Sequence, residues 1–348
     1  MVSFYRAMEV IYRLLLYGAL PYLLWYTYGL DLWNLLLIYI CVFILDTLCD
    51  ICGTIVYRHD EFKLIKGLPS LFTITMVLVM LALLLNLDVA FVYLVIPGLL
   101  GAIAFIFSSK NRTFNPFGFT TMTFLTLSVL LAVLLTPVFL VLPILYLLTA
   151  VFLVGRGLDE MNASPLTRVS TYLRLGITLG LSITLAVLTF NDWLKILTST
   201  EQFNWSNLSD IPIVFLGNFI IAIFEEFLGR AFIPFVGAGL ASYAFSSLHI
   251  PKLMIGYIEM NNLTHILGLS PLFAMYLTIC VMAWLCIGTM LFVETWRKSG
   301  LLGSILTHAI VNTVIYMIAT GLTTGAIALT ITLMVLHYIF GKRTGFKI

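Results

Sequence analysis

Long apolar segments recur along the whole chain, and they limit its possible folds more than any other feature. Of the 348 residues, 61% are hydrophobic and only 10% are charged. A soluble domain is nearer half apolar and a quarter charged, so this chain lacks the polar surface that would cover a water-soluble globule. Composition therefore excludes a soluble enzyme, a disordered regulator and a nucleic-acid-binding protein, and predicts an integral membrane protein.

The apolar segments have the length of membrane-spanning helices, which need about 20 residues each. Charged or Pro/Gly-rich breaks separate them, so the sequence predicts an all-α, polytopic transmembrane helical bundle of about twelve helices (11–13). The predicted spans are 8–29, 32–56, 70–87, 89–108, 117–136, 138–155, 171–190, 211–230, 234–250, 271–293, 300–320 and 323–340.

The Lys and Arg residues predict which side each loop occupies, because cytoplasmic loops carry an excess of them. With both termini cytoplasmic, 15 of the 18 basic residues fall inside, whereas Lys195 and Lys252 fall outside and Arg230 lies within a span. The longest polar cytoplasmic break, 156–170, predicts an N-terminal membrane domain of unknown role (1–155) and a second domain at 171–340. Residues 191–210 are predicted as an external loop and 251–270 as a surface segment.

The cysteines all lie in or beside apolar runs, which is typical of buried thiols that behave as small hydrophobes. We therefore predict no disulfide framework for Cys41, Cys49, Cys52, Cys280 and Cys286.

Ionisable groups are concentrated at the end of the predicted span 211–230. A charged group at the centre of a spanning helix costs about 2.5–3.5 kcal/mol, so such residues indicate function by default. Glu226 and Arg230 are four residues apart and can neutralise each other on one helix face. Glu225 is rotated by about 100° from Glu226 and is expected to meet a different neighbour. The alternative is a charge cluster at the membrane surface that only anchors the helix.

Two later spans carry further polar groups, His249 at the end of Phe245-Ser-Ser-Leu-His249 and the pair His308 and Asn312. Spacing of four residues places His308 and Asn312 on one helix face. A histidine near a helix end is often only an interfacial residue, and a His/Asn pair can be packing between helices. Their occurrence together in one half of the chain favours a functional site.

A carboxylate, two imidazoles and a carboxamide can hydrolyse an amide without a covalent intermediate. The carboxylate and an imidazole deprotonate water, while N–H donors stabilise the tetrahedral oxyanion. A zinc site is the main alternative, since Glu and His are both ligands. We rank it second because the sequence has no H-E-x-x-H and the acidic pair carries its own arginine.

The order E-E-x-x-x-R, F-x-x-x-H and H-x-x-x-N on successive helices resembles the signature of the CAAX protease and bacteriocin-processing family, to which the Ras-converting CAAX endopeptidase belongs. The matching residues are Glu225 to Arg230, Phe245 to His249 and His308 to Asn312, and Gly303 to Thr307 resembles the family's approach to the third motif. Ala231 departs from the glycine that the family often has after the arginine. The resemblance covers 171–340 in architecture and does not extend to 1–155.

The resemblance implies a metal-independent intramembrane glutamate endopeptidase without a cofactor. By motif position, Glu225 and His249 would activate water, and His308 and Asn312 would form the oxyanion hole. Glu226 and Arg230 would support the site or engage the substrate. The implied substrate is a membrane-associated peptide or lipidated protein, cleaved in the cell membrane of a prokaryote or the endoplasmic reticulum of a eukaryote. The alternative is a non-catalytic membrane module that binds a peptide or lipid in the same cavity.

The N-terminal half has one costly polar feature, the carboxylates Asp46 and Asp50 on one face of the second predicted span. With the charged segment 58–63 that follows, they show a faint similarity to the prenyltransferases of the UbiA superfamily, which bind a prenyl diphosphate through magnesium. Those enzymes have more aspartates and a second copy of the motif. The favoured interpretation is that Asp46 and Asp50 pair with another group in the helical bundle and that the extra helices form a scaffold or a guide for the substrate.

Overall fold

A computed structural model of the chain describes residues 2–57, 162–197, 209–230 and 237–319, together with Ile233 and short pieces between residues 76 and 159. All regular elements in this part are helical, which confirms the predicted all-α class. In the order described, they are α1 (Val2–Leu14), α2 (Leu20–Tyr28), α3 (Leu32–Tyr57), α4 (Pro165–Leu197), α5 (Ile211–Arg230), α6 (Ala238–Ser247), α7 (Ile250–Ile266) and α8 (Pro271–Ala319). A π-helical stretch, Leu15–Ala19, joins α1 to α2.

Five segments of the described chain are long and apolar enough to cross a bilayer: Ala7–Tyr28, Leu32–Val56, Pro165–Asp192, Ile211–Arg230 and Pro271–Met317. They correspond to the predicted spans 8–29, 32–56, 171–190 and 211–230 and to the pair 271–293 and 300–320. The span predicted at 234–250 is not among these segments, because the described part of it holds the ten-residue helix α6 and the start of α7. The spans predicted at 70–87, 89–108, 117–136, 138–155 and 323–340 lie wholly or largely outside the described residues. The total of about twelve helices and the cytoplasmic position of both termini stay predictions.

Helix α8 continues through residues 294–299, where the sequence predicted a break between two spans. Glu294 accounts for the continuity, because its carboxylate pairs with Arg297 at 3.2 Å and Lys298 at 3.3 Å, one turn further along the helix. The helical backbone is interrupted at Gly300, whose φ of 73° and ψ of −175° favour glycine. The charged stretch is therefore part of the helix, and the change of direction occurs at one glycine.

Helix ends also differ from the predicted loop boundaries. Helix α4 begins inside the predicted break 156–170, because Ser164 accepts a hydrogen bond from the Thr167 amide and Pro165 suits the first helical turn. It continues to Leu197, into the predicted external loop 191–210. Helix α7 occupies most of the predicted surface segment 251–270 and ends before Gly268, at φ 67°.

Contacts divide the chain into two compact units, which are described separately. Unit 1 comprises residues 1–97, 140–198 and 233–286, and unit 2 comprises residues 98–139, 199–232 and 287–348. Helices α1 to α4, α6 and α7 and the start of α8 thus belong to unit 1, whereas α5 and the rest of α8 belong to unit 2. The functional division predicted at 1–155 and 171–340 stays a prediction.

Unit 1 is organised around close packing of α3 on α6. A Cβ atom at Gly53 would lie 2.9 Å from the carbonyl oxygen of Gly239 and 3.0 Å from Cβ of Tyr243, closer than side chains normally approach. The five cysteines are all in this unit and are buried, as predicted for thiols in apolar runs. A glycine at position 53 therefore brings two helix backbones together, as small residues do between membrane helices.

Unit 2 has a smaller core, in which α5 packs on the second half of α8. Its buried centre consists of Ala222, Ile305 and Ala309, with Phe215, Phe219, Ile223 and Leu301 packed around it. The alanines allow the two helices to approach closely, so polar side chains on the same faces can reach across the interface.

Candidate active site

The polar residues of unit 2 face one another between α5 and the second half of α8. Asn218, near the start of α5, donates from Nδ2 to Thr313 Oγ1 at 3.1 Å. Glu226, near the end of α5, contacts His308, which precedes Thr313 in α8. Since the order of contacts is reversed between the two helices, they run antiparallel and share one polar seam.

The ion pair predicted between Glu226 and Arg230 is present, which confirms that prediction. The Nε atom of Arg230 lies 3.0 Å from Oε2 of Glu226, and neither side chain has exposed surface. In a low-dielectric environment the desolvation of both ions opposes their attraction, so such a pair needs further hydrogen bonds.

Glu226 receives those further bonds from α8. The hydroxyl of Ser304 donates to Oε2, and Nδ1 of His308 donates to Oε1 at 2.8 Å. Both carboxylate oxygens are therefore occupied, and Glu226 holds the imidazole of His308 in one orientation.

Glu225 contacts the other nitrogen of the same imidazole. Its Oε2 atom lies 3.2 Å from Nε2 of His308, and 19% of its side chain is exposed, in contrast to the buried Glu226. The two glutamates thus diverge around the helix, as predicted, but they meet one shared neighbour rather than different ones. Glu225 is the carboxylate of the cluster that an incoming molecule can reach.

The cluster is electrically balanced. Each ring nitrogen of His308 faces one carboxylate: Nδ1 faces Glu226, and Nε2 faces Glu225. Nδ1 keeps its hydrogen, and one further proton is shared between Nε2 and Glu225, so it is bound either to His308 or to Glu225. In both cases the charges of Glu225, Glu226, Arg230 and His308 add up to zero. A neutral set of hydrogen-bonded charges can be buried in a bilayer far more cheaply than an unpaired one.

Phe292 packs against the side chains of both Arg230 and His308. The guanidinium carbon of Arg230 lies 5.5 Å from the centroid of this ring, and the imidazole of His308 stacks on the ring with centroids 4.5 Å apart. Arg230 also approaches the carbonyl oxygen of Thr289 at 3.5 Å. These contacts hold Arg230 and His308 in place through a part of α8 that precedes Gly300.

Asn312 lies one turn beyond His308 on α8 and is half-buried. Within the described residues its side chain makes no hydrogen bond. The neighbouring Thr313 accepts a hydrogen bond from Asn218, and this bond joins α8 to α5 next to Asn312.

His249 lies in unit 1, in the turn between α6 and α7, and not with the other candidate residues in unit 2. Its Nδ1 atom is 2.7 Å from the carbonyl oxygen of Phe245, and the two rings meet edge to face with centroids 4.8 Å apart. The Phe245–His249 motif is therefore a local unit that fixes the orientation of the imidazole. The predicted role of His249 in water activation stays a prediction.

Sequence reasoning missed several contributors to the cluster: Ser304, Phe292, Thr289, Asn218 and Thr313. Ser304 follows a glycine in an apolar helix and carries a weak signal, because serine is common between membrane helices. Phe292 gives no signal at all in a chain where 14% of residues are aromatic. Asn218 is a polar residue seven positions before Glu225, and this spacing would have identified it as part of the same helix face.

The described residues contain no group of three or more His, Cys, Asp or Glu side chains that could share a metal ion. Comparison with protein-family models, curated proteins and solved structures finds no match to this chain.

Proposed function

We propose that the chain is a metal-independent intramembrane endopeptidase that hydrolyses a peptide bond in a membrane-associated peptide or lipidated protein. The observation that supports this most is the chain of contacts from buried Glu226 through His308 to partly exposed Glu225. A carboxylate at hydrogen-bonding distance from an oriented imidazole is suited to general acid–base catalysis. The motif resemblance, which names the same residues, is the second support.

In this mechanism Glu225 is the general base. Its carboxylate takes a proton from a water molecule as the water oxygen forms a bond to the substrate carbonyl carbon. Glu225 then transfers the proton to the amide nitrogen as the C–N bond breaks, which gives an acid and an amine. Glu226 and Arg230 do not exchange protons with the substrate; they keep His308 oriented.

The oxyanion requires donors that become available during the reaction. Protonation of Glu225 removes the negative charge that engages Nε2–H of His308, so this N–H, in the orientation that Glu226 holds, becomes available to the developing oxyanion. The carboxamide of Asn312, one turn away, supplies a second donor. This assigns to His308 and Asn312 the roles that the resemblance implies, and the part in water activation that it implies for His249 stays a prediction.

The proposal includes the topology. Five described segments can cross a bilayer, and we infer a multi-pass protein of about twelve helices. It would reside in the cell membrane if the source is a prokaryote and in the endoplasmic reticulum if it is a eukaryote. Cleavage would then take place where a prenylated or otherwise membrane-bound chain lies in the bilayer.

A second candidate is a non-catalytic module that binds a peptide or lipid in the same cavity. The observation that favours it is that the groups of the cluster already bond to one another. Both oxygens of Glu226 have partners, and the total charge of the cluster is zero. Such a cluster can hold two helices together without catalysis.

The alternative of a UbiA-like N-terminal half has less support. Asp46 and Asp50 both accept hydrogen bonds from Arg174 of α4, as the pairing interpretation of the sequence predicted. A guanidinium between the two carboxylates occupies the position that a magnesium ion would need.

The decisive experiment uses purified protein in lipid nanodiscs with two versions of one peptide, farnesylated and unmodified at the C-terminal cysteine, and mass spectrometry of the products. Glu225→Gln should lose cleavage at least a hundredfold, because the amide cannot accept the proton. Glu294→Gln is the matched control, since this glutamate of α8 pairs only with the neighbouring Arg297 and Lys298 in the described chain.

Wild-type activity in Glu225→Gln would overturn the mechanism. Loss of wild-type activity with 1,10-phenanthroline, restored by zinc, would replace it with the metal-dependent alternative. Binding of the peptides without cleavage by the wild type would favour the non-catalytic module.

A further inference from the structure

Helix α3 contacts both helices that flank His249, and all three helices belong to unit 1. Helix α6 ends at Ser247, just before this histidine, and α7 begins at Ile250, just after it. The position of the imidazole therefore depends on where α6 and α7 lie. Contacts that fix these two helices on α3 also fix His249.

The contact between α3 and α6 is close and is made mainly by small groups. A Cβ atom at Gly53 would lie 2.9 Å from the carbonyl oxygen of Gly239. The hydroxyl of Ser246 donates a weak hydrogen bond to Sγ of Cys52, at 4.0 Å. Such contacts set the distance between the two helices, but they have little directional character and leave the rotation of α6 about its own axis weakly restrained.

A hydrogen bond to a buried carboxylate supplies the directional restraint. The hydroxyl of Tyr243, on α6, donates to Oδ1 of Asp46 on α3, at 3.0 Å. Hydrogen bonds to a charged acceptor are roughly twice as strong as bonds between neutral groups. The Asp46–Tyr243 bond is therefore the strongest polar link described between α3 and α6.

Asp46 itself is held in one orientation. Only 1% of its side chain is exposed, and its second oxygen, Oδ2, accepts hydrogen bonds from Tyr17 and Arg174. The guanidinium of Arg174 also donates to Asp50, and Arg13 lies close enough to Asp50 to interact with its charge. A carboxylate that is bonded through both oxygens and faces cationic neighbours is a fixed point for the helix that donates to it.

Helix α7 is joined to α3 at a separate point. Nδ2 of Asn261 donates to Oδ1 of Asn34 at 3.2 Å. The backbone amide of Asn34 donates in turn to Asp31, which caps the start of α3. This contact lies about three helical turns beyond His249. The far end of α7 is therefore held on α3 independently of Tyr243.

We propose that α3 is the platform that orients His249, with Asp46 and Tyr243 as the positioning pair that fixes the rotation of α6. Residues of the N-terminal half thereby gain a defined part in the candidate site, since they hold the helix that leads to the Phe245–His249 motif. The kinetic consequence rests on the proposed function, together with the part in water activation that the resemblance implies for His249. The orientation of the imidazole does not depend on either.

The test compares Tyr243→Phe with two other tyrosine substitutions in the full chain in lipid nanodiscs. Tyr17→Phe removes a donor to the same carboxylate from the stretch between α1 and α2, which does not carry His249. Tyr257→Phe removes a hydroxyl of α7 that has no hydrogen-bond partner among the described residues. NMR of ¹⁵N-labelled histidine rings is the measurement, and the signals of His249 are identified by their loss in His249→Ala.

Tyr243 precedes His249 by six residues, about 9 Å along a helix, so loss of its hydroxyl reaches the imidazole only through a movement of α6. We expect Tyr243→Phe to shift the ring signals of His249 and to leave those of His265, near the end of α7, in place. Tyr17→Phe and Tyr257→Phe should leave both sets in place. Unchanged His249 signals in Tyr243→Phe, or the same shift in all three variants, would overturn the proposal.

A second variant tests the same pair from α3 if Tyr243→Phe does not fold. Asp46→Glu keeps the charge and moves the acceptor by one methylene group, so it should shift the same His249 signals. Identical His249 signals in wild type and Asp46→Glu would contradict a positioning role for this carboxylate.

The kinetic consequence is measured by cleavage of the farnesylated peptide. Tyr243→Phe should lower kcat about tenfold to a hundredfold at unchanged KM, because a displaced group of the site slows the reaction without weakening substrate binding. In a His249→Ala background the same substitution should have no further effect, since it acts through that histidine. Equal losses in both backgrounds would overturn the assignment. Absence of cleavage by the wild type would instead contradict the proposed function, and the His249 signals would still decide the positioning.

Discussion

Glu226 and Arg230 form an ion pair with no exposed surface, and its stability depends on the partners from α8. Ser304 and His308 occupy the remaining positions of the carboxylate, so removal of one charged member leaves the other without compensation. Breaking a buried pair in this way costs about 3–5 kcal/mol.

We therefore expect Arg230→Met to lower the free energy of unfolding by about 3–5 kcal/mol, because the carboxylate of Glu226 loses its nearest cation. Denaturant unfolding in detergent micelles measures this change. The matched control is Arg168→Met, since Arg168 pairs with Asp159 at 2.5 Å on the exposed surface and such pairs contribute less than about 1 kcal/mol. Equal losses in both variants would contradict the structural role of the buried pair.

At the level of single residues, the sequence predicts contacts within one helix, because these depend on helical spacing. It does not predict contacts between helices. The Glu226–Arg230 pair follows from an interval of four residues, and it is present. The shared contact of Glu225 and Glu226 with His308 does not follow from spacing, because it depends on how α5 and α8 pack. The same holds for Arg174, whose position between Asp46 and Asp50 brings together residues more than 120 positions apart.

Among the described helices, the contact of α3 with α6 is sensitive to a small change. A methyl group at Gly53 would press on the Gly239 carbonyl and the Tyr243 Cβ atom, and both belong to rigid parts of α6. Overpacking of this kind costs about 1–3 kcal/mol.

Gly53→Ala should thus lower the unfolding midpoint, with a loss of about 1–3 kcal/mol in the free energy of unfolding. Gly256→Ala in α7 is the control, because a Cβ atom there meets nothing within 4 Å and alanine favours the helix by about 1 kcal/mol. Thermal unfolding monitored by circular dichroism distinguishes the two. A neutral Gly53→Ala would show that the two helices can separate without loss.

Helix ends were the least predictable elements, for reasons that are local. Charged residues suggested a loop at 294–299, yet Glu294, Arg297 and Lys298 stabilise one another on a helix face. The helix start at Pro165 depends on a cap by Ser164, which composition does not reveal. Hydropathy locates the interior of a spanning helix well, because the length of an apolar run determines whether a helix can cross the bilayer. It locates the helix ends poorly, because local contacts such as these determine them.

For the molecule as a whole, the asymmetry of basic residues predicts the topology, and the buried native cysteines make it measurable. All five thiols are buried, so an impermeant maleimide should not label the wild type. Lys252 and Lys298 are both exposed and are predicted on opposite sides. In intact cells we expect labelling of Lys252→Cys alone, and labelling of Lys298→Cys only after permeabilisation. Labelling of Lys298→Cys in intact cells would reverse or refute the predicted orientation.

Gly300 has a consequence for how mutational data on this chain should be interpreted. The residue touches none of the proposed reacting atoms, yet it sets the direction in which the segment with Ser304, His308 and Asn312 leaves the preceding part of α8. A side chain at φ 73° and ψ −175° is strained, so a substitution would tilt that segment before it changed any of the proposed catalytic groups. In a genetic screen that scores only lost activity, position 300 would be indistinguishable from Glu225. Measurements of folding and of activity on the same variants are needed to separate a hinge from a catalyst.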